Sequence, residues 1–342
     1  MAQQSVVLIP GDGIGPEVAH AAQQVIDATG VGFKWIEMPA GEAAVATHGD
    51  TLPDITIAAL NEHKVGLKGP VGTPIGKGFR SVNVTLRKKM ELYAAVRPVR
   101  SMPGVKTRFE NIDLVIFREN TEGLYTGIEN EIAPGVVTSL KVATERACLR
   151  IAKYAFTYAK RRGRKKVTVF HKANIMKLTD GLFIRVAKQV HDEIAPEIEY
   201  EELIIDNGCM QMVRDPNRFD CLLMENLYGD LMSDLCAGLV GGLGVVPGAN
   251  IGETVAVFEA VHGTAPDIAG KGLANPLACI MSGVMMLNHI HDTTGNQACH
   301  TAADKIKTAY NAVLSEGKHL TRDLGGTAGT KEFTDALIEK IG

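Results

Sequence analysis

The side chains best suited to chemistry stand between Ser81 and Arg97, in the run Ser81-Val-Asn83-Val-Thr-Leu-Arg87 and the later Arg97-Pro98. Just upstream, Gly72-Thr73-Pro74-Ile75-Gly76-Lys77-Gly78 is too glycine-rich for a helix interior and reads as a loop. From about Asn83 to Tyr93 the composition predicts a helix, with Ser81 and Asn83 at its start. Small hydroxyl and amide side chains there accept backbone N–H bonds as caps. The same end attracts anions, because free N–H groups and the helix dipole point outward. Arg87 lies four residues after Asn83, about 40° around the helix, so serine, asparagine and arginine can face one ligand. Guanidinium groups hold carboxylates by paired hydrogen bonds. On this stretch alone, a capped surface helix with solvated arginines is equally open.

Further chemistry-bearing groups fall at strand ends. Asp113–Phe117 is an apolar run that predicts a buried strand, and Arg118-Glu-Asn-Thr-Glu-Gly-Leu-Tyr125 follows where open α/β sheets place ligand groups. Strand Val167–Phe170 closes on His171-Lys172-Ala-Asn174, and strand Ile198–Ile205 on Asp206. Asp230 and Asp234 stand four apart on one helical face, where unneutralised carboxylates repel. Asp206, Asp230 and Asp234 suit an oxygen-loving ion, Mg²⁺ or Mn²⁺, rather than zinc. Three ordinary surface acids remain the other reading. His262, beside Gly263-Thr and ahead of Asp267, is placed to meet a nucleotide.

The elements that position these groups alternate between strand and helix. Val6–Ile9 is a strand, followed by Pro10-Gly-Asp12-Gly13-Ile-Gly15-Pro16-Glu17 and a helical pattern through Ala28. Strand, glycine turn and helix outline a dinucleotide site, but Pro16 interrupts the G-x-G-x-x-G spacing and no acid ends a convincing second strand. A tight turn feeding a proline-started helix is the better reading. Residues 52–60 predict a helix capped by Thr51 or Asp54, and Val65–Lys68 a short strand. Ser139–Ala159 reads as one long amphipathic helix. Gly238–Gly252 reads as flexible. Helices are expected over Thr179–His191, Pro276–Asn288, Ala302–Glu316 and Thr330–Ile341.

At 342 residues the chain predicts two lobes, and 45% apolar with 22% charged residues supports a sizeable core. Net charge of −3 gives no pull toward nucleic acid or an anionic membrane. The basic run Lys160-Arg-Arg-Gly-Arg-Lys-Lys166 has no interleaved aromatic and reads as a solvated helix end. No apolar run is long enough to span a bilayer. Six scattered cysteines without a C-x-x-C pair, and no signal segment ahead of the first strand, predict a cytoplasmic protein.

Taken together, Pro10-Gly-Asp-Gly-Ile-Gly-Pro-Glu17, Ser81-x-Asn83-x-x-Leu-Arg87, Leu92-Tyr-x-x-x-Arg97-Pro98, Arg118-Glu-Asn-Thr-Glu-Gly-Leu-Tyr125, Lys172-x-Asn174-Ile-Met-Lys177, Asn226-x-x-Gly-Asp230-x-x-x-Asp234 and His262-Gly-Thr-Ala-Pro266 resemble the β-decarboxylating dehydrogenases, the isocitrate and 3-isopropylmalate dehydrogenase family. The resemblance runs in order over essentially the whole chain. It implies a two-domain α/β fold that is not Rossmann, with the active site in the interdomain cleft. Residues 1–98 and 236–342 would form a large cofactor-side domain. Residues 99–235 would form a small one carrying dimer contacts, metal ligands and catalytic groups.

The resemblance also implies roles. Arg87, Arg97 and Arg118 would bind substrate carboxylates, with Ser81 and Asn83 meeting the γ-carboxylate. Lys172 would help take the hydroxyl proton and Tyr125 would return a proton to carbon. Asp206, Asp230 and Asp234 would hold Mg²⁺ or Mn²⁺. Thr73, Asn83, Glu259, His262, Gly263, Asp267, Ile268 and Asn275 would face NAD. Within the family the chain looks most like the NAD-dependent isocitrate enzymes, which oxidise and decarboxylate isocitrate to 2-oxoglutarate in the tricarboxylic acid cycle. Homoisocitrate and 3-isopropylmalate dehydrogenases are the near alternatives, and a polar Ser81-x-Asn83 pair favours a substrate with a γ-carboxylate. A non-catalytic regulatory subunit is a further alternative, set against the retention of Tyr125, Lys172 and all three aspartates. Lys172 and Asp206 would reach the cleft of a second copy in a homodimer. No nucleic-acid or membrane partner is expected.

Overall fold

Strands whose side chains are buried on both faces must read as near-continuous apolar runs. Val6 to Ile9, Val65 to Leu67, Leu114 to Phe117 and Cys221 to Met224 do so, and each is fully buried in the computed structural model, which describes residues 3–72 and 81–342. The first part of the chain runs β1 (Ser5–Ile9), α1 (Gly15–Ala28), β2 (Lys34–Glu37), α2 (Glu42–His48), α3 (Asp54–His63), β3 (Val65–Lys68), α4 (Val82–Lys89) and β4 (Ala94–Arg100). The middle gives β5 (Asp113–Glu119), β6 (Glu129–Ala133), β7 (Val136–Ser139), α5 (Glu145–Arg161), β8 (Lys166–His171), α6 (Thr179–Ile194), β9 (Glu199–Ile204), α7 (Ile205–Arg214), β10 (Cys221–Met224) and α8 (Asn226–Leu239). The last part gives β11 (Pro247–Ile251), β12 (Ala256–Ala260), α9 (Leu277–Thr294), α10 (Gln297–Glu316) and α11 (Thr330–Ile341).

Ten strands form one sheet in the order β2-β1-β3-β12-β11-β4-β5-β10-β8-β9, with β6 and β7 in a separate hairpin. The flanks are parallel, while β12, β11, β4 and β5 pair antiparallel at the centre. Strand period two sends Val6 and Leu8 into the core shared with α1 and α9, and Val7 and Ile9 into a second cluster with Leu52, Leu60 and Leu86. Helices therefore cover both faces. Strands from residues 1–98 and 236–342 take one side of the sheet, and those from 99–235 take the other. The boundary is the β4–β5 pair.

The first glycine turn serves architecture. The Asp12 carboxylate accepts the amides of Glu42 (2.8 Å), Ala43 (2.9 Å) and Gly72 (2.7 Å), so it caps α2 and pins the entry to the glycine loop. Gly13 has φ of +59°, and a Cβ there would meet the Thr264 carbonyl oxygen at 2.1 Å. Ile14 N donates to that same carbonyl at 2.9 Å. Pro16 opens α1, as the sequence predicts.

Several local expectations need correction. The long helix begins at Glu145, capped by Thr144, and not at Ser139, which ends strand β7; residues 140–144 lie outside the helix. Gly238–Gly252 holds the fully buried strand β11, because Pro247, Ala249 and Ile251 pack there. A second strand, β2, does pair with β1 and ends at Glu37; its half-exposed Lys-Trp-Ile-Glu pattern hides it. Helix α3 is preceded by Pro53 and has no side-chain cap from Thr51 or Asp54. Helix α4 stops at Lys89, before a left-handed Glu91 at φ +47°, rather than at Tyr93. The basic run is paired rather than merely solvated: Arg161 and Arg162 meet Asp292, Arg164 meets Asp113 and Asp220, and Lys166 meets Glu199 and Glu201.

Candidate active site

Sheet register builds the site. Lys68 on β3 pairs with Glu259 on β12, Glu259 with Gly248 on β11, Asn250 with Ala95 on β4, and Ala95 with Arg118 on β5. Period two then puts Lys68, Glu259, Asn250, Arg97 and Arg118 on one face, a row of polar groups across five strands. The row is internally bonded. Lys68 Nζ meets Glu259 at 2.5 Å, Asn250 Nδ2 donates to Glu259 at 2.7 Å, and Asn120 Nδ2 donates to Asn250 Oδ1 at 2.9 Å. Burial works to raise the Glu259 pKa, but Lys68 and Arg87 beside it hold the carboxyl down at about 2.

Arg87 reaches Glu259 from α4 at 3.5 Å. Ser81 is the N-cap of α4, its hydroxyl accepting the Val84 amide at 3.4 Å, and it remains exposed. Asn83, Arg87, Arg97, Glu259, His262 and Gly263 line one cavity of about 140 Å³. Within it Asn83 Oδ1, Arg87 Nε and His262 Nε2 are buried without a hydrogen-bond partner among the described residues. Burial lowers the His262 pKa, so the ring is neutral at pH 7. Buried polar atoms are ordinarily satisfied, and three orphans facing one cavity mark a place built for a polar ligand.

The second half of the site comes from β5, the turn after it, and α8. Arg118 and Arg97 are 1% and 8% exposed. Burial and the nearby positive charges of Arg87 and Arg97 push the Arg118 guanidinium down to about 10, and burial with Arg87 lowers Arg97 as well. Three crowded guanidiniums favour the arrival of anions. Arg118 is held by Asn226 Oδ1 (2.9 and 2.7 Å) and by Asp230; Arg97 meets Ser233 and, at 3.4 Å, Asp234. Gly229 is required here, because a Cβ would sit 2.4 Å from Arg118 Cγ. Tyr125, in a short turn after β5, donates its hydroxyl to Asp230 at 2.5 Å, with Arg118 5.0 Å from its ring centre. Burial and the Asp230 carboxylate raise the Tyr125 pKa. Burial opposes Asp230 ionisation, yet Arg118 and the Tyr125 hydrogen bond hold it below the usual range. Asp234 is raised by burial.

Lys172 and Asp206 do not join this group within one chain. Lys172 Nζ meets Asp206 at 2.5 Å, and that bond lowers the Asp206 pKa. Asp206 lies in the first turn of α7, one step beyond the strand end expected for it. Among the described residues no cluster of three His, Cys, Asp or Glu could hold a metal ion. The structure thus brings Asp230 and Asp234 together and leaves Asp206 apart.

On the other side of His262, Ile268 and Asn275 line a cavity of about 320 Å³ with Arg322 and Asp323. Asn275 donates to Asp323 at 2.9 Å and accepts the Leu277 amide at 2.9 Å. Asp267 is exposed, and Lys271 Nζ binds its carbonyl oxygen at 2.8 Å. Thr73 lies outside the described residues. Sequence reading missed Lys68, Asn226, Ser233 and Asn250 as supports of the site. Lys68 ends an apolar strand and Asn250 interrupts one, and a polar group inside a buried run is the signal that could have found both.

On one face of an α/β sheet, buried arginines thus meet partly exposed aspartates. The model of the isocitrate/isopropylmalate dehydrogenase family matches residues 5–337, and the chain belongs to that family. It is 51% identical over 338 residues to the mitochondrial NAD isocitrate dehydrogenase catalytic subunit 5 of Arabidopsis thaliana, covering 98% of this chain and 88% of that one. It is also 51% identical over 312 residues to the chloroplastic 3-isopropylmalate dehydrogenase of Solanum tuberosum, covering 91% and 85%. The crystal structure of isocitrate dehydrogenase from Methylococcus capsulatus superposes with a TM-score of 0.93 at 48% identity, over 99% of both chains.

Proposed function

We propose that this protein oxidises and decarboxylates isocitrate to 2-oxoglutarate with NAD⁺, as an enzyme of the tricarboxylic acid cycle. The observation that carries the reading is the convergence of Arg87, Arg97 and Arg118, with an exposed serine, Ser81, capping the helix that carries Arg87. Three guanidiniums suit a tricarboxylate, and a hydroxyl where an alkyl-binding side chain would be expected suits a γ-carboxylate. Both the isocitrate and the isopropylmalate relatives are about half identical to this chain, so Ser81 and not overall similarity supports the choice.

Asp230 and Asp234, with Asp206 from a second copy, offer hard oxygen donors that fit Mg²⁺ or Mn²⁺ and not a thiolate-seeking metal. An ion bound there would act as a Lewis acid on the substrate hydroxyl oxygen. The nicotinamide supplies hydride chemistry, and His262, Asn83 and Gly263, with Ile268, Asn275 and Asp267 beyond, would orient it. Tyr125, hydrogen-bonded to Asp230, would carry the proton returned to carbon. Lys172, from a second copy, would take the hydroxyl proton.

Ile175 and Leu178 beside Lys172 are 69% and 87% exposed, as are Ile132 and Val137 on the hairpin at 66% each. Large apolar residues left bare around a catalytic lysine support a homodimer with shared sites. Residues 1–98 with 236–342 would form the cofactor-side domain and 99–235 the smaller one, a division that the grouping of strands about the β4–β5 pair supports. Six free cysteines suit a reducing compartment, and we place the protein in the cytoplasm. No helix among the described residues is long and apolar enough to cross a membrane. One assay crosses isocitrate, homoisocitrate and 3-isopropylmalate with NAD⁺ and NADP⁺, with and without a chelator. Turnover of isocitrate with NAD⁺, abolished by the chelator, is the expected result; preferred turnover of 3-isopropylmalate overturns it.

A further inference from the structure

Behind the sheet, opposite the arginine cluster, lies a cavity of about 290 Å³. The strands that carry Arg97, Asn250 and Glu259 forward carry Val96, Pro98 and Arg100, Ala249 and Ile251, and Phe258 backward. Helix α9 closes the floor with Met281, Val284 and Met285, so the base is apolar. Tyr154 and Tyr158 from α5 and Tyr310 from α10 face the cavity, and their hydroxyls have no hydrogen-bond partner among the described residues.

The rim is cationic. Arg100, Arg161, Arg162, Arg164 and Lys307 line it against one lining carboxylate, Asp292. Arg161 and Arg162 share that carboxylate at 2.8 and 2.7 Å. Arg164 is held by Asp113 and Asp220, Arg100 stands 3.8 Å from Asp113, and Lys307 lies 3.0 Å from Asp304. Five cations therefore face four carboxylates, and two guanidiniums divide one partner. An apolar floor, three unpartnered phenols and a surplus of guanidinium at the mouth form the pattern of a small-molecule pocket with a few convergent polar groups.

We propose that this rear cavity is a second ligand site, which takes a small amphipathic anion: an aromatic or branched apolar body bearing one carboxylate, sulfonate or phosphate. The body lies on Phe258, Met281 and Met285, the phenols donate to its polar edge, and Arg161 and Arg162 bind the anionic group they now offer to Asp292. Guanidinium–anion hydrogen bonds are the strong contacts of such a site. The site is independent of the cofactor cleft, which lies on the other face of the same strands.

Anilinonaphthalene sulfonate, an aryl sulfonate whose fluorescence rises on apolar contact, tests this on the full chain. Saturable binding of one dye per chain, unchanged by saturating NAD⁺ and isocitrate, is expected. Met285→Trp, which fills the floor, and Lys307→Glu, which reverses a partly exposed rim charge, each weaken it by about tenfold. Thermal melts confirm that each variant is folded, and Lys307→Glu decides alone if Met285→Trp is not. Unsaturable binding, displacement of the dye by NAD⁺, or affinity unmoved in the folded variants overturns the proposal.

Discussion

The hydroxyl of Tyr125 donates to the carboxylate of Asp230 over 2.5 Å, joining the turn after β5 to helix α8 at the centre of the site. The same carboxylate holds Arg118, so one acid fixes both the proposed proton donor and a proposed carboxylate binder. Asp230→Asn removes the charge on which both depend. Turnover should fall roughly 100-fold or more, the rate equivalent of about 3 kcal/mol. Stability should fall by about 1–2 kcal/mol, because Arg118 keeps Asn226 but loses its anion in a partly solvated pair. Steady-state kinetics with Mn²⁺ and urea unfolding measure the two effects, and wild-type turnover in the variant or after exhaustive chelation would refute a metal at this acid.

Lys172 and Tyr125 lie in separate hydrogen-bonded groups of one chain, the first on Asp206 and the second on Asp230. Lys172→Ala and Tyr125→Phe chains should each be nearly inactive alone. Refolded together, they should regain up to a quarter of wild-type activity, the share expected if mixed dimers form at random and carry one intact site. Verified mixed dimers without recovery would exclude sharing.

Ser81→Leu presents an alkyl group where a γ-carboxylate is expected. Isocitrate kcat/KM should drop by roughly tenfold to 100-fold, in line with the loss of a polar contact, while alkyl malates improve relative to it. The cap bond to Val84 is long at 3.4 Å, so stability should change by only about 0.5 kcal/mol. Unchanged isocitrate kcat/KM removes Ser81 from the substrate site.

NADP⁺ carries an extra phosphate on the adenosine ribose, and Asp267 would face it as a like charge. At about 4 Å and an effective dielectric near 20, one such pair is worth roughly 4 kcal/mol before screening, so a preference for NAD⁺ of one or two orders of magnitude is expected. Lys271 turns back onto the Asp267 carbonyl, which takes it away from neutralising that phosphate. Asp267→Lys with Ile268→Tyr should move the kcat/KM ratio toward NADP⁺. A ratio unmoved by the swap would show that other residues choose the cofactor.

Glu259 is buried against Lys68, itself 1% exposed. Its carboxyl is held at about 2 against an ordinary 4.5. A depressed carboxyl stabilises the fold above its unfolded value, and that stability drains away as pH falls from about 4.5 toward 2. The contribution at pH 7 is roughly 3 kcal/mol. Glu259→Gln leaves the Lys68 ammonium buried without an anion and should cost about 3–5 kcal/mol at pH 7. Urea unfolding at pH 7 and pH 3 should show wild type losing more stability than the variant between the two, and equal losses would contradict the assignment.

Much of the site was legible because the residues that do chemistry are polar groups at the ends of apolar runs. Arg118 could be singled out that way, and the 3.6-residue period put Asp230 and Asp234 on one face. The helix expected from Ser139 starts only at Glu145, because Leu140 is exposed and Thr144 supplies the cap. Register is also invisible locally: nothing in Val65–Lys68 announces that Lys68 will lie beside Glu259, nearly two hundred residues away. The support groups Asn226 and Ser233 act through other side chains, and only their partners' positions reveal them.

The two strands between β3 and β4 come from residues 247–260. On the ribosome, then, the first hundred residues can fold only part of their sheet, with β3 and β4 presenting open edges until β11 and β12 emerge. Between Lys68 and Ala256 lies a wait of roughly 10–40 s at ordinary synthesis rates. Long-range pairing of this kind folds slowly, and an open edge recruits other strands. Nascent chains halted near residue 240 should consequently bind chaperones and yield to protease, while chains halted beyond about residue 300, with β12 free of the exit tunnel, should resist it.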